Sequence, residues 1–287
     1  MPIMSAKPAA PSNLRSLTTR LDNLARQSAR PIRRVQRTVA NIVVGQMLPS
    51  GVMKGGAAMS VRVGEASSRF TTDLDAARPA DLTLDDYLDE FGRRLDGGWG
   101  GFTGNLEQLP PAEPEGVPEQ YVMQPFKIRL LYLGRHWLTV PFELGHDEIG
   151  STKQPELRIA HDIVSLFEAI GLDEPQPIPL LTTAHQIAQK LHACTMINAR
   201  TGDNDRAHDL VDLQILEHEE SIDRPALAAI AARLFRVRDA QTWPPVVVAH
   251  PSWPTIYAEA ANGLDVLSDV EEAVDWANNF VASLAAE

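Results

Sequence analysis

The chain is nearly without cysteine. Its single thiol, Cys194, excludes an internal disulfide framework and points to a reducing cytoplasm. Cys194 lies in an apolar helical pattern and reads as a packed residue rather than a nucleophile. No apolar run approaches the roughly 20 residues that a membrane-spanning helix requires, and no hydrophobic leader precedes a cleavage-like site. Aromatics are sparse at 6%. Net positive charge is also absent: the chain carries −12, which disfavours tight nonspecific DNA binding, because phosphate neutralisation supplies most of that affinity. The exception is the first 50 residues, where Lys7, Arg15, Arg20, Arg26, Arg30, Arg33, Arg34 and Arg37 stand against the one acid Asp22. That local +7 suits either contact with RNA or pairing with the acidic body. At 287 residues the chain can bury a full core, with a division at 1-150 and 151-287 as the expected domain organisation.

Against this background one stretch stands out, MKGGAAMSVRVGEASSRFTTDLD, from Met53 to Asp75. Val52-Met53 reads as a short strand, Gly55-Gly56 as a turn, and Ala57 to Val63 as a helix whose N-terminus would aim free N–H groups at an anion. Glycines allow close backbone approach to a phosphate, with Lys54 and Arg69 nearby. If Asp73-Leu74-Asp75 is a strand, its period of two puts both carboxylates on one face and buries Leu74. Paired carboxylates on a rigid element can hold the divalent ions used in attack on a nucleotide phosphate. Alone, the DxD pattern fits a solvated acidic loop equally well.

Helices are predicted from Leu14 to Leu24 with Ser12 as cap, from Arg33 to Met47, and around Leu84, Leu88, Phe91 and Leu95. DGGWGGFTGN reads as a flexible loop whose Trp99 and Phe102 either anchor it or stack on a base, and LPPAEPEGVPEQ as a connector. A hairpin follows, with Gly134-Arg135 as a type II′ turn. In its second strand Glu143 lies opposite the face of Leu138, Val140, Phe142 and Leu144, so it is either a third metal-site carboxylate or an ordinary exposed glutamate. Helical spacing runs from Leu157 to Ile170 and ends at Gly171. A second informative block, HQIAQKLHA followed by RAHDLVDL, sets Lys190 near the edge of one apolar stripe. Asp209 and Asp212 share a face of the next helix. His185 and His192 read as helix-surface histidines, since zinc would need a ligand the sequence does not offer. The remaining C-terminal segments read as supporting helices.

The two blocks, KGGAAM…RFTTDLD and HQIAQKLHA…RAHDLVDL, together resemble the AbiEii/MenT branch of the polymerase-beta-like nucleotidyltransferases, toxins of bacterial toxin–antitoxin systems. The resemblance implies an α/β (α+β) fold: a nucleotidyltransferase core with a mixed sheet, N-terminal helices and a C-terminal helical region. It implies Asp73, Asp75 and Glu143 as ligands for Mg2+ or Mn2+. Lys54, Gly55, Gly56, Arg69, Thr71, Thr72 and Lys190 would bind the NTP, and Lys190, Asp209 and Asp212 would complete the catalytic set. His208 stands where the family usually has another basic residue, which leaves open whether Asp209 or Asp212 is essential. The implied acceptor is the 3′ end of tRNA, with blocked translation as the outcome, and a cognate antitoxin is the implied partner. The same core could instead nucleotidylate a protein or small molecule, or bind nucleotide without catalysis. Thr71 and Thr72 beside the acids also suggest that a phosphate placed there would compete for metal or triphosphate.

Overall fold

The structure, a computed structural model, describes residues 7–111, 122–197 and 201–286. Two helices come first. α1, Leu14–Gln27, is capped by Asn13, whose side chain accepts from the Ser16 amide, so the cap lies one residue beyond the expected Ser12. Leu17, Leu21 and Ala25 form its buried stripe. α2, Ile32–Met47, turns from basic to apolar along its length, and nearly every residue from Thr38 to Met47 is buried. A helix apolar on all sides belongs inside, and α2 runs through the larger core.

A seven-stranded mixed sheet is built around β2. β1 is Val52–Lys54 and β2 is Leu74–Arg78, with α3, Gly55–Val63, between them. α4, Leu84–Gly97, is capped by Thr83 and carries Asp85 and Asp86 in its first turn, favourable at the positive end of the helix. β3 (Phe102–Gln108), β4 (Gln124–Tyr132) and β5 (Arg135–His146) form an antiparallel meander; β6 (Glu156–Arg158), α5 (His161–Ile170) and β7 (Ile178–Leu180) follow. The spatial order is β3-β4-β5-β2-β1-β7-β6. β2 lies antiparallel to β1 and parallel to β5, so the centre of the sheet draws strands from distant parts of the chain.

The rest is helical: α6 (Thr183–Thr195), α7 (Ala207–Glu219), α8 (Arg224–Arg238), α9 (Trp253–Ala261) and α10 (Val270–Ala285). Among the described residues two large apolar clusters result, with a small third of Val52, Ala77 and Leu181. The first spans Leu17 to Leu180 and includes α5 and β7; the second joins Met59 of α3 to α6 through α10. Among the described residues no helix is long and apolar enough to cross a membrane.

Several local readings change. The glycines form no separate turn, because α3 begins at Gly55 itself. Glu156–Arg158 is a strand, so the helix starts at His161 rather than Leu157, and exposed Leu157 marks a sheet edge. The hairpin turns at Leu133-Gly134, with both φ values positive (47° and 76°) and Tyr132 paired with Arg135, the pattern of a type I′ turn shifted by one residue. The Trp99 loop is not loose: Trp99 and Phe102 exchange backbone hydrogen bonds of 2.8 Å. Phe102 is fully buried, and Trp99 packs edge-on to Phe167 with ring centres 5.9 Å apart. These aromatics are core anchors rather than base-stacking groups. His192 is buried, not on a helix surface. The connector's residues 112–121 lie outside the described residues.

Candidate active site

Strand register assembles the acidic wall of a cleft of about 490 Å3. Lys54 pairs with Asp75 across β1 and β2, and Asp75 with Glu143 across β2 and β5. Three charged side chains thus lie at one level on three adjacent strands. Asp73 precedes the first hydrogen-bonded residue of β2, but Leu74 is buried and both Asp73 and Asp75 line the cleft. Thr72 Oγ1 donates to Asp73 Oδ1 at 3.0 Å. Burial raises the pKa of Asp75, outweighing the relief from Lys54, and repulsion from Asp73 adds a smaller push in the same direction. Burial likewise lifts Glu143, with Asp75 and Asp73 adding to the shift. Burial also depresses Lys54 despite the acids around it. The wall therefore holds more negative charge than its one lysine balances.

Next to the acids, α3 opens with Gly55 and Gly56, and its N-cap Lys54 makes no side-chain cap hydrogen bond. Its first amides are thus left for an anion. Gly55 has φ +66°, and a Cβ there would lie 1.9 Å from Asp75 Oδ2. Glycine is required on both counts. A Cβ on Gly56 would meet Thr71 Oγ1 at 2.8 Å, which brings the second glycine against the Arg69-to-Asp73 segment. One guanidinium ties the start of that segment to α2: Arg34 bonds the Glu65 carboxylate and the carbonyls of Glu65 and Ser68. Arg30 pairs with the same buried Glu65.

Opposite lies a helical charge cluster. Lys190 of α6 donates to Asp209 Oδ1 at 2.7 Å and to Asp212 Oδ2 at 2.6 Å, both on α7. Arg69 Nε contacts both oxygens of Asp212 at 3.1 Å. Burial alone would lower Lys190, but the two aspartates hold it above its ordinary value. Burial pushes Asp209 upward too, and Lys190, Arg206 and His208 more than reverse that, leaving it ionised well below the usual carboxylate range. Asp212 is fully buried and does not line the cleft, whereas Asp209 does. Asp209 Oδ2 accepts no hydrogen bond, although Arg206 Nε lies 3.1 Å away. This division bears on the two acids left open above: Asp212 clamps Arg69 and Lys190, and Asp209 belongs to the cleft lining, its Oδ2 set beside Arg206.

The cleft gathers Lys54, Gly55, Gly56, Arg69, Thr71, Thr72, Asp73, Asp75, Glu143, Lys190 and Asp209. It also contains groups the sequence reading passed over. Arg206 supplies the strong cation beside Asp209, while burial lowers the pKa of His208, 4.0 Å from that carboxylate. The spacing of three between Arg206 and Asp209 was a usable signal. Gln186 of α6 donates to the Gly55 carbonyl at 3.1 Å. Arg238, at the end of α8, is held to Glu148 at 2.7 and 3.0 Å and donates to His192 at 3.1 Å. Nothing local in the sequence marks Arg238; only the α6–α8 packing brings it in. Phe70 lines the cleft as well.

The donor chemistry of the acidic wall fits a divalent cation. Asp73, Asp75 and Glu143 offer hard oxygen ligands whose mutual repulsion a cation would relieve. Among the described residues no group of three or more His, Cys, Asp or Glu side chains is arranged to enclose a metal alone. Magnesium needs no such cage, since it usually combines one or two carboxylates with water and substrate phosphates.

A metal-compatible acidic wall beside an uncapped helix N-terminus, in a mixed α/β sheet, suits an enzyme that binds a nucleotide's phosphates. The sequence matches the family described as nucleotidyl transferase AbiEii toxin, type IV toxin–antitoxin system, over residues 40–283, and the chain belongs to that family. The family is the toxin side of a two-part system, which implies a cognate antitoxin. Among solved structures the fold is similar to MenT4, a nucleotidyltransferase toxin from Mycobacterium tuberculosis H37Rv, with a TM-score of 0.51 and 19% identity over 92% of this chain and 98% of that one. Among curated proteins, none matches the sequence.

Proposed function

We propose that this enzyme transfers a nucleoside monophosphate from an NTP to the 3′ end of tRNA in the cytoplasm, blocking translation and growth. The observation that carries the reading is one cleft lined on one side by Asp73, Asp75 and Glu143 and on the other by Gly55, Gly56, Arg69 and Lys190. The α3 amides and Arg69 bind and orient the triphosphate, and Thr71 and Thr72 complete that shelf. Lys190, fixed by two aspartates, presents a permanent positive charge where pyrophosphate departs. Asp209, in the cleft lining beside Arg206, orients the acceptor hydroxyl; held ionised, it acts by position rather than as a proton store. The acceptor oxygen bonds to the α-phosphorus as the α–β bridge breaks and pyrophosphate leaves. Asp73, Asp75 and Glu143 would hold Mg2+ or Mn2+, which supplies charge neutralisation at the phosphates. Orientation and preorganised charge account for most of the acceleration.

Incubation with total tRNA, Mg2+ and each α-labelled NTP in turn, on a denaturing gel beside Asp75→Ala, tests this. Label on tRNA that vanishes in the variant is the expected result. Label on a protein band would replace tRNA with a protein acceptor, and absence of label on any acceptor would overturn the proposal.

A further inference from the structure

Phe70 is 43% exposed and is the one aromatic among the large exposed apolar side chains of the described residues. Single exposed aliphatics are ordinary. Phe70 differs in location, because it borders both the main cleft and a second recess behind it. That recess, of about 10 Å3, is lined by Arg34, Arg37, Thr38, Asn41 and Ser68 among others. It has room for one water or hydroxyl and not for a base. Its walls hold two buried polar atoms without partners, Asn41 Oδ1 and Ser68 Oγ, on side chains 3% and 1% exposed. Such groups call for a polar visitor.

The charge around Phe70 is selective. Arg30 and Arg34 are both engaged by Glu65, and Arg20 and Arg26 are bonded to carbonyls or to Asp22. Arg37 donates to the Thr139 carbonyl of β5 at 3.2 Å and feels the charge of Asp73. It therefore stands between the recess and the acidic wall. Arg33, exposed, lies four residues earlier and so on the same face of α2. In a chain of net charge −12, this is a short positive track ending at the acids.

We infer that Phe70, Arg37 and Arg33 form the docking track for the acceptor, a single-stranded polynucleotide 3′ end: a terminal base stacks on Phe70 while backbone phosphates lie along Arg37 and Arg33. The inference rests on the transfer reading above and assigns the acceptor path within it. The alternation of an aromatic face and cations is what single strands use, with stacking tolerant of sequence. A hydroxyl of the strand, or a water it carries, satisfies Asn41 and Ser68. Protein acceptors lack the repeating anion that two arginines spaced one turn apart would meet.

The test is fluorescence anisotropy of a 5′-labelled single-stranded oligoribonucleotide with a free 3′ hydroxyl, without nucleotide or metal. It is run on the full chain and on Phe70→Ala, Phe70→Trp and Arg37→Ala. Phe70→Ala should weaken binding about tenfold and Phe70→Trp should retain it. Arg37→Ala should also lower the slope of log affinity against log salt by about 0.7 for the lost phosphate contact. In transfer assays Phe70→Ala should raise KM for RNA and leave KM for the NTP unchanged. If wild type labels RNA yet all variants bind the oligonucleotide alike, the track is overturned and the transfer reading survives. If no RNA is labelled but binding depends on Phe70 and Arg37, the track stands and the transfer reading fails. No binding by wild type overturns the track.

Discussion

The two sides of the cleft treat charge in opposite ways. On the strand side, Asp73, Asp75 and Glu143 repel one another, and a depressed Lys54 is the cation that stands in register with them. On the helix side, Asp209 and Asp212 meet Lys190, Arg69 and Arg206 at hydrogen-bonding distances. The first region keeps unrelieved repulsion of the kind that a bound cation would lower. In the second, every acid already has cationic partners, and one positive charge is left over. Acids on the strand side are therefore predicted to matter to activity and to burden stability, while Asp212 matters mainly to stability. Abundance of acids in a cleft does not by itself identify the ligands; the state of their partners does.

Four measurements break or sharpen this contrast. Asp75→Asn should reduce transfer by about 10³-fold, since a preorganised electrostatic group is lost, and should leave the urea midpoint unchanged or raised, because a buried charge is removed. A large loss of stability in that variant would erase the distinction. Asp212→Ala should cost about 3–5 kcal/mol in equilibrium unfolding, because Arg69 loses its ion-pair partner and Lys190 keeps only Asp209 of its two; a fully stable Asp212→Ala would sink the clamp reading. Gly55→Ala should be milder, at about 1–3 kcal/mol of strain from the positive φ, with the added methyl displacing the Asp75 carboxylate. Activity should fall further than stability.

The smallest effect concerns His192. Burial and the neighbouring Arg238 push its pKa down to about 3. The unfolded chain, with an ordinary histidine value, takes up a proton earlier as pH falls. Stability from the neutral ring is thus fully present above about pH 6.5 and is lost progressively toward pH 3. At pH 5 the loss relative to neutral pH is about 2 kcal/mol. His192→Asn should flatten that part of the pH profile in urea titrations; an unchanged profile would mean that other groups carry it.

What the sequence made legible follows from how local each signal is. α1 and α4 could be read from apolar spacing, because each buries its own stripe. Asp73, Asp75 and the glycines could be read because a short motif places them together. Glu143 was suggested by strand alternation, yet its alignment with Asp75 needed the parallel pairing of β2 and β5. Arg238, the Glu65 tie and the burial of His192 were hidden, since each depends on packing between segments far apart in sequence. The Trp99 segment misled for a related reason: four glycines suggested looseness, but a tight turn and Phe167 fix the ring.

The register of β2 has a consequence in time. Asp75 belongs to a strand whose parallel neighbour is made much later, and Arg69 awaits an aspartate on α7. As the chain leaves the ribosome, earlier segments fold first. The glycines and the paired aspartates emerge early, and the cleft they line closes only after β5 and then α7 have joined them, when most of the chain has been synthesised.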